Sequence, residues 1–177
     1  DVEITNDADI TVASSNDSAA GLRALVGGSV YYAYGEVLIT NSGNIDVQAE
    51  YLAQGIVALS YYTGVEVVNS GDVTASSTSG YSQAIAVRSA TGAIISNSGT
   101  ITAGSGDALA ISITGAGSVT NNDGDISGGI TADDGDDFIY NNAGGRIFLT
   151  NDTIDLAGGY NYFFNDGKQY ADGFTNS

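Results

Sequence analysis

Hydrophobic and polar positions along this chain recur in two interleaved series. The first is a β-branched pair and a polar residue leading into Asn and a tight turn. It runs Ile4-Thr5-Asn6-Asp7-Ala8-Asp9-Ile10, then Ile39-Thr40-Asn41-Ser42-Gly43-Asn44-Ile45. It returns as Val67-Val68-Asn69-Ser70-Gly71-Asp72-Val73 and as Ile95-Ser96-Asn97-Ser98-Gly99-Thr100-Ile101. A copy with one doubled Asn follows at Val119–Ile126. Asn6, Asn41, Asn69, Asn97 and Asn122 are separated by 35, 28, 28 and 25 residues, and a β-branched residue stands four positions beyond each.

The second series lies between these turns: Gly21–Leu25, Gly55–Leu59, Ala84–Arg88 and Ala108–Ser112. Aligned in that order, Leu22, Ile56, Ile85 and Leu109 share one face with Ala24, Ala58, Val87 and Ile111. Arg23, Val57, Ala86 and Ala110 fall on the other. A period of two with one apolar face predicts strands buried on one side. The C-terminal third continues with a shorter period: Asp136–Asn141 aligns with Tyr160–Asn165 at an offset of 24, with Gly135 over Gly159.

Two series in phase mean one supersecondary unit repeated about six times. Each unit holds three short strands. The expectation is an all-β chain, residues 1–177, forming one right-handed, three-sided parallel β-helix of six to seven rungs. Stacking at about 4.8 Å makes it a rod roughly 30 Å long, and parallel crossovers favour the right hand. The rungs from about 122 to 177 are expected to be shorter and more acidic. Asn and Gly suit the corners because both tolerate left-handed backbone angles. Asn41, Asn69, Asn97 and Asn122 would then stack as a turn ladder, with amides bonded along the rod. An antiparallel sandwich also has regularly spaced short strands, but its hairpins would not repeat one Asn-Ser-Gly motif every 28 residues.

Composition adds bounds. There is no Pro, Cys, Met, Trp or His, and four Lys and Arg stand against 21 Asp and Glu, a formal net charge of −17. Such a field repels nucleic acid and anionic lipid, so neither is an expected partner. Without Cys or His there is no disulfide, thiolate site or Ser-His-Asp triad within the chain. No stretch approaches a membrane span, so membrane insertion of this segment is not expected.

The Asn97–Ala103 phrase, the Gly106–Ile111 phrase and Gly135–Asn141 resemble passenger regions of autotransporters and related β-helical adhesins. The resemblance covers nearly the whole chain. It implies a right-handed β-helix exported across the outer membrane, then held at the bacterial cell surface or released. It also suggests a segment of a longer secreted protein, and the residues themselves, without His, Cys or a P-loop, offer no catalytic machinery. The chain's ending within a turn motif, Phe174–Ser177, fits such a segment.

Three functions remain as expectations. The first is a non-enzymatic structural or adhesive rod that meets a protein or glycan on a host or neighbouring cell. The second is a filament subunit associating with itself through the solenoid ends. The third is a polysaccharide-active enzyme, against which stands the placing of Arg23 and Arg88 away in sequence from the acidic cluster at Asp123–Asp137. Two groups of residues are candidate sites. Asp133, Asp134, Asp136 and Asp137, in the densest acidic run, could gain from a shared Ca²⁺. Tyr31, Tyr32, Tyr61 and Tyr62 precede turn Asn residues by seven to ten positions and could form a binding strip along one side. The long first period also leaves room for loops near Ser14–Ala19 or Val26–Tyr34.

Overall fold

The computed structural model describes residues 1–27, 35–104, 107–149, 152–171 and 174–175. Among these the chain forms only strands, and they assemble into three parallel sheets of seven. Strands three apart in sequence are neighbours in every sheet, so each circuit of the chain lays down one rung with three sides. The protein is a three-sided parallel β-solenoid.

On the first side every strand ends on Asn: Val2–Asn6, Val37–Asn41, Val65–Asn69, Ala93–Asn97, Ser118–Asn122, Asp137–Asn141 and Tyr162–Asn165. The second side holds Ile10–Ala13, Ile45–Ala49, Asp72–Ser77, Thr100–Gly104, Asp125–Ser127, Arg146–Leu149 and Lys168–Ala171. The third side holds Ala19–Val26, Leu52–Ser60, Tyr81–Ser89, Asp107–Gly115, Gly129–Ala132, Ile154–Leu156 and Phe174–Thr175. Third-side strands of nine residues in the middle rungs fall to four, three and two, which shortens the C-terminal repeat.

Alternation in the sequence becomes columns inside the rod. Ile45, Val73, Ile101, Ile126 and Ile147 are paired in register on the second side. Ile56, Ile85, Ile111, Ile130 and Ile154 do the same on the third. All ten are fully buried. Each such aliphatic side chain contributes about 1.5–3 kcal/mol on leaving water. Because neighbours along a column come from equivalent positions, one residue type solves the same packing problem in every rung.

The third side differs from expectation in register. Ile111, not Leu109, pairs with Ile85, while Leu109 pairs with Gln83. The Ala-aliphatic alternation fits almost as well when slid by two residues, so pattern alone placed this strand wrongly. The side is also not one flat strand. Consecutive residues Gly55–Ile56, Ala84–Ile85 and Ala110–Ile111 are all buried, and the paired register skips Gly55, Ala84 and Ala110. At that level the phase shifts by one residue and each strand breaks into two arms. A Cβ on Gly55 would lie 2.4 Å from Val73 Cγ1 and 2.5 Å from the Ala84 carbonyl oxygen.

Corner glycines set how closely rungs approach. A Cβ on Gly71 would lie 2.1 Å from the Gly43 carbonyl oxygen, backbone that cannot move aside. At Gly104 the nearest atom is the Ser76 Cβ at 3.9 Å. Gly71→Ala should therefore destabilise the rod by about 1–3 kcal/mol through overpacking, whereas Gly104→Ala should stay within about 0.5–1 kcal/mol of the parent. Denaturant unfolding of the two variants side by side checks this; equal stabilities would contradict it.

Candidate functional site

The Asn corner is the most ordered polar feature of the rod. Asn41 Nδ2 donates to Asn69 Oδ1 at 2.8 Å, Asn69 to Asn97 at 2.9 Å and Asn97 to Asn122 at 2.9 Å. The same link runs from Asn6 to Asn41, from Asn122 to Asn141 and from Asn141 to Asn165. Each Nδ2 from Asn6 to Asn122 also donates to the carbonyl two residues on, closing its own turn; for Asn41 the acceptor is the Gly43 oxygen at 2.8 Å. Both amide hydrogens and the side-chain oxygen of an interior Asn are thus satisfied, and Asn41, Asn69 and Asn122 are fully buried. The backbone follows the same path, with Ser70 N donating to the Asn41 oxygen and Ser98 N to the Asn69 oxygen, both at 2.8 Å. Asn141 and Asn165 belong to this ladder although Asn-Ser-Gly is absent around them.

The four candidate calcium ligands do not converge. Asp133 Oδ1 accepts from the Gly115 N–H at 2.7 Å, and Asp136 Oδ1 accepts from the Tyr160 N–H at 2.8 Å. Asp137 points inward, where Oδ1 accepts from the Ser118 hydroxyl at 2.7 Å. Asp134 lies against Gly158. No three acidic side chains among the described residues are placed to hold a cation together. The run crosses a corner, and there successive side chains leave in different directions. The structure does not bring Asp133, Asp134, Asp136 and Asp137 together as a shared Ca²⁺ site would require; these carboxylates cap and fill turns.

Asp137 is the unusual member. It occupies the inward column held by Val37, Val65, Ala93 and Ser118 in the preceding rungs. It is 1% exposed, and its Oδ2 is buried without a hydrogen-bond partner. Burial holds its carboxyl above the ordinary value; hydrogen bonds from Ser118 oppose this, and the charges of Asp133 and Asp136 add to it. Burial also raises Asp152 in the same rung.

Of the proposed tyrosine strip, Tyr31 and Tyr32 lie outside the described residues. Tyr61 and Tyr62 sit at the corner between the third and first sides, 42% and 37% exposed. The Arg88 guanidinium lies over the Tyr61 ring, 4.8 Å from its centre. A second aromatic group covers the last rungs. Phe148 and Tyr170 stack at 4.8 Å with 4° between their planes, and Tyr140 touches Tyr162 and Phe164. The register explains it, because outward positions filled by Thr102 and Ser127 in earlier rungs become Phe148 and Tyr170. Arg146 beside them is held by Asp125, with Nε donating to Oδ1 at 2.6 Å.

Comparison with protein-family models, with curated proteins and with solved structures returns no match to this chain. The class of the protein thus rests on its own topology.

The buried carboxyls give a pH dependence of fixed sign. A carboxyl whose pKa rises on folding favours the folded state most when protonated. That contribution is complete below its unfolded value, about 4, and is lost as pH rises through the folded value. Wild-type stability should therefore fall as pH rises from about 4 towards 7, and Asp137→Asn should make that fall shallower. Thermal unfolding across the range checks it; parallel curves for the two proteins would contradict the assignment.

Proposed function

We propose that the chain is a non-enzymatic structural and adhesive β-helix, carried at a bacterial surface or secreted in the manner of an autotransporter passenger. The observation that supports this best is the continuity of the rod. Inward positions are committed to aliphatic columns and one corner to the Asn ladder, from Val2–Asn6 to Tyr162–Asn165. Such a framework holds outward residues at fixed height and fixed spacing, which is what display requires. Its partners in this reading are proteins or glycans of an opposing cell, and its place is extracellular. The acidic field keeps a sheet-rich object dispersed.

A second reading is self-association through the solenoid ends, and the polarity of the ladder supports it. Every link runs from Nδ2 to Oδ1 in the same sense. A rung added from further along a chain, or from a second copy, would meet a complementary amide and an open strand edge.

Displaying the chain on a non-adherent bacterium tests the first reading. It should raise cell or matrix attachment severalfold without releasing reducing ends or unsaturated products from polysaccharides. Attachment equal to the undisplayed control, or release of sugar products, would contradict it. Concentration-dependent sedimentation into elongated oligomers would favour the second reading instead.

A further inference from the structure

The bend on the third side leaves a shallow depression of about 280 Å³ on the outer surface, running along the rod over the first four rungs. Its floor is Val57 and Ala86, outward-facing yet 3% and 8% exposed because they sit just past the bend. One wall carries Gln54 and Gln83, whose amides are joined at 2.7 Å. Arg23 in the first rung heads the Val57–Ala86 column, and Arg88 in the third stands two positions further along the strand, across the floor from the glutamines; both are exposed. Tyr61 supports the Arg88 guanidinium at the far rim.

Charge distinguishes this surface from the rest of the molecule. The strands Ala19–Val26, Leu52–Ser60 and Tyr81–Ser89 contain no Asp or Glu, in a chain with 21 of them. They hold two of its four basic residues. Among the described residues the one ion pair is Arg146 with Asp125, so neither Arg23 nor Arg88 has a carboxylate partner. An acidic protein that keeps two guanidiniums on one side of the rod, without carboxylate partners and on strands without acids, presents a local site for anions. The distant acidic field is attenuated there, since screening acts over about 8 Å at physiological salt.

We propose that this depression is a binding site for a carboxylated glycan, a polymer of uronic acid units lying along the rod. Arg23 and Arg88 stand two rungs apart and two positions apart along the strand, about 10 Å along the axis and about 7 Å across it, so a chain with a carboxylate on each unit, crossing the depression obliquely, reaches both. Guanidiniums pair with carboxylates through two parallel hydrogen bonds. The Gln54–Gln83 amides offer further donors and acceptors for ring hydroxyls, and the exposed face of Tyr61 supplies apolar contact. Two amides beside an apolar floor suit the hydroxyls of a sugar better than the backbone of an acidic peptide, which would leave hydroxyl-directed groups unused.

The site rests on the adhesive reading for its role, but the two fail separately. Loss of glycan binding with attachment retained removes the site alone. Attachment lost with glycan binding retained removes the function.

Calorimetric titration of the purified 177-residue chain with galacturonic acid hexamer, its fully methyl-esterified form and a hexaglutamate peptide is the test. The acid hexamer should bind at 0.15 M salt, and esterification should weaken it at least tenfold. The double variant Arg23→Gln/Arg88→Gln, checked for native circular dichroism, should lose at least tenfold, and Arg146→Gln should lose less than twofold. Amide resonances of Gln54 and Gln83 should shift with the acid hexamer. No binding, equal binding of the ester, a smaller loss in the double variant, silent glutamine resonances, or tighter binding of hexaglutamate would each overturn the proposal.

Discussion

The rest of the structure depends on a buried amide being satisfied at one corner of every rung. A side-chain amide removed from water without partners costs several kcal/mol. The ladder removes that cost by giving each interior Asn a donor below, an acceptor above and its own turn carbonyl. The solution works only if the next rung has Asn at the same height. One corner therefore fixes the register of the first side, and the backbone bonds around the turn carry that register into the second. The aliphatic columns supply most of the stabilisation, but hydrophobic contact is tolerant of small slips and hydrogen bonding is not. The ladder makes the stack specific, and the columns make it stable.

This division explains what could be read in the sequence. Asn6, Asn41, Asn69, Asn97 and Asn122 announce themselves because an amide ladder admits no substitute, and the Ile columns on the second side show for a similar reason. Leu109 was misplaced because alternating Ala and aliphatic residues look alike when shifted by two, and nothing polar pins that strand as Asn pins the corner. The acidic run is a different case. Asp133, Asp134, Asp136 and Asp137 are adjacent in sequence, but a corner disperses what a strand would gather. Asp137 stands in that run as a candidate calcium ligand, whereas strand alternation sends it into the column beneath Ser118.

The depression on the third side was not legible at all. It arises where two consecutive residues turn inward at Gly55–Ile56 and Ala84–Ile85, a phase shift that a period-two reading smooths over. What sequence did show was the raw material: two Arg on outward positions of strands without acids. A regular solenoid gains local chemistry where its regularity breaks, since a flat sheet face offers nothing for a ligand to enter. The same holds in the last rungs, where shortened third-side strands coincide with outward rings such as Phe148 and Tyr170.

Hydrogen exchange of the asparagine side-chain amides, resolved by nuclear magnetic resonance, bears most directly on the ladder. If the ladder governs register, the Nδ2 protons of Asn69, Asn97 and Asn122 should exchange as slowly as the backbone amide of Ile95, through global opening alone. Exchange of those protons at the rate of the exposed Asn44 side chain would mean that the corner is open to water and that the columns alone hold the rungs in place.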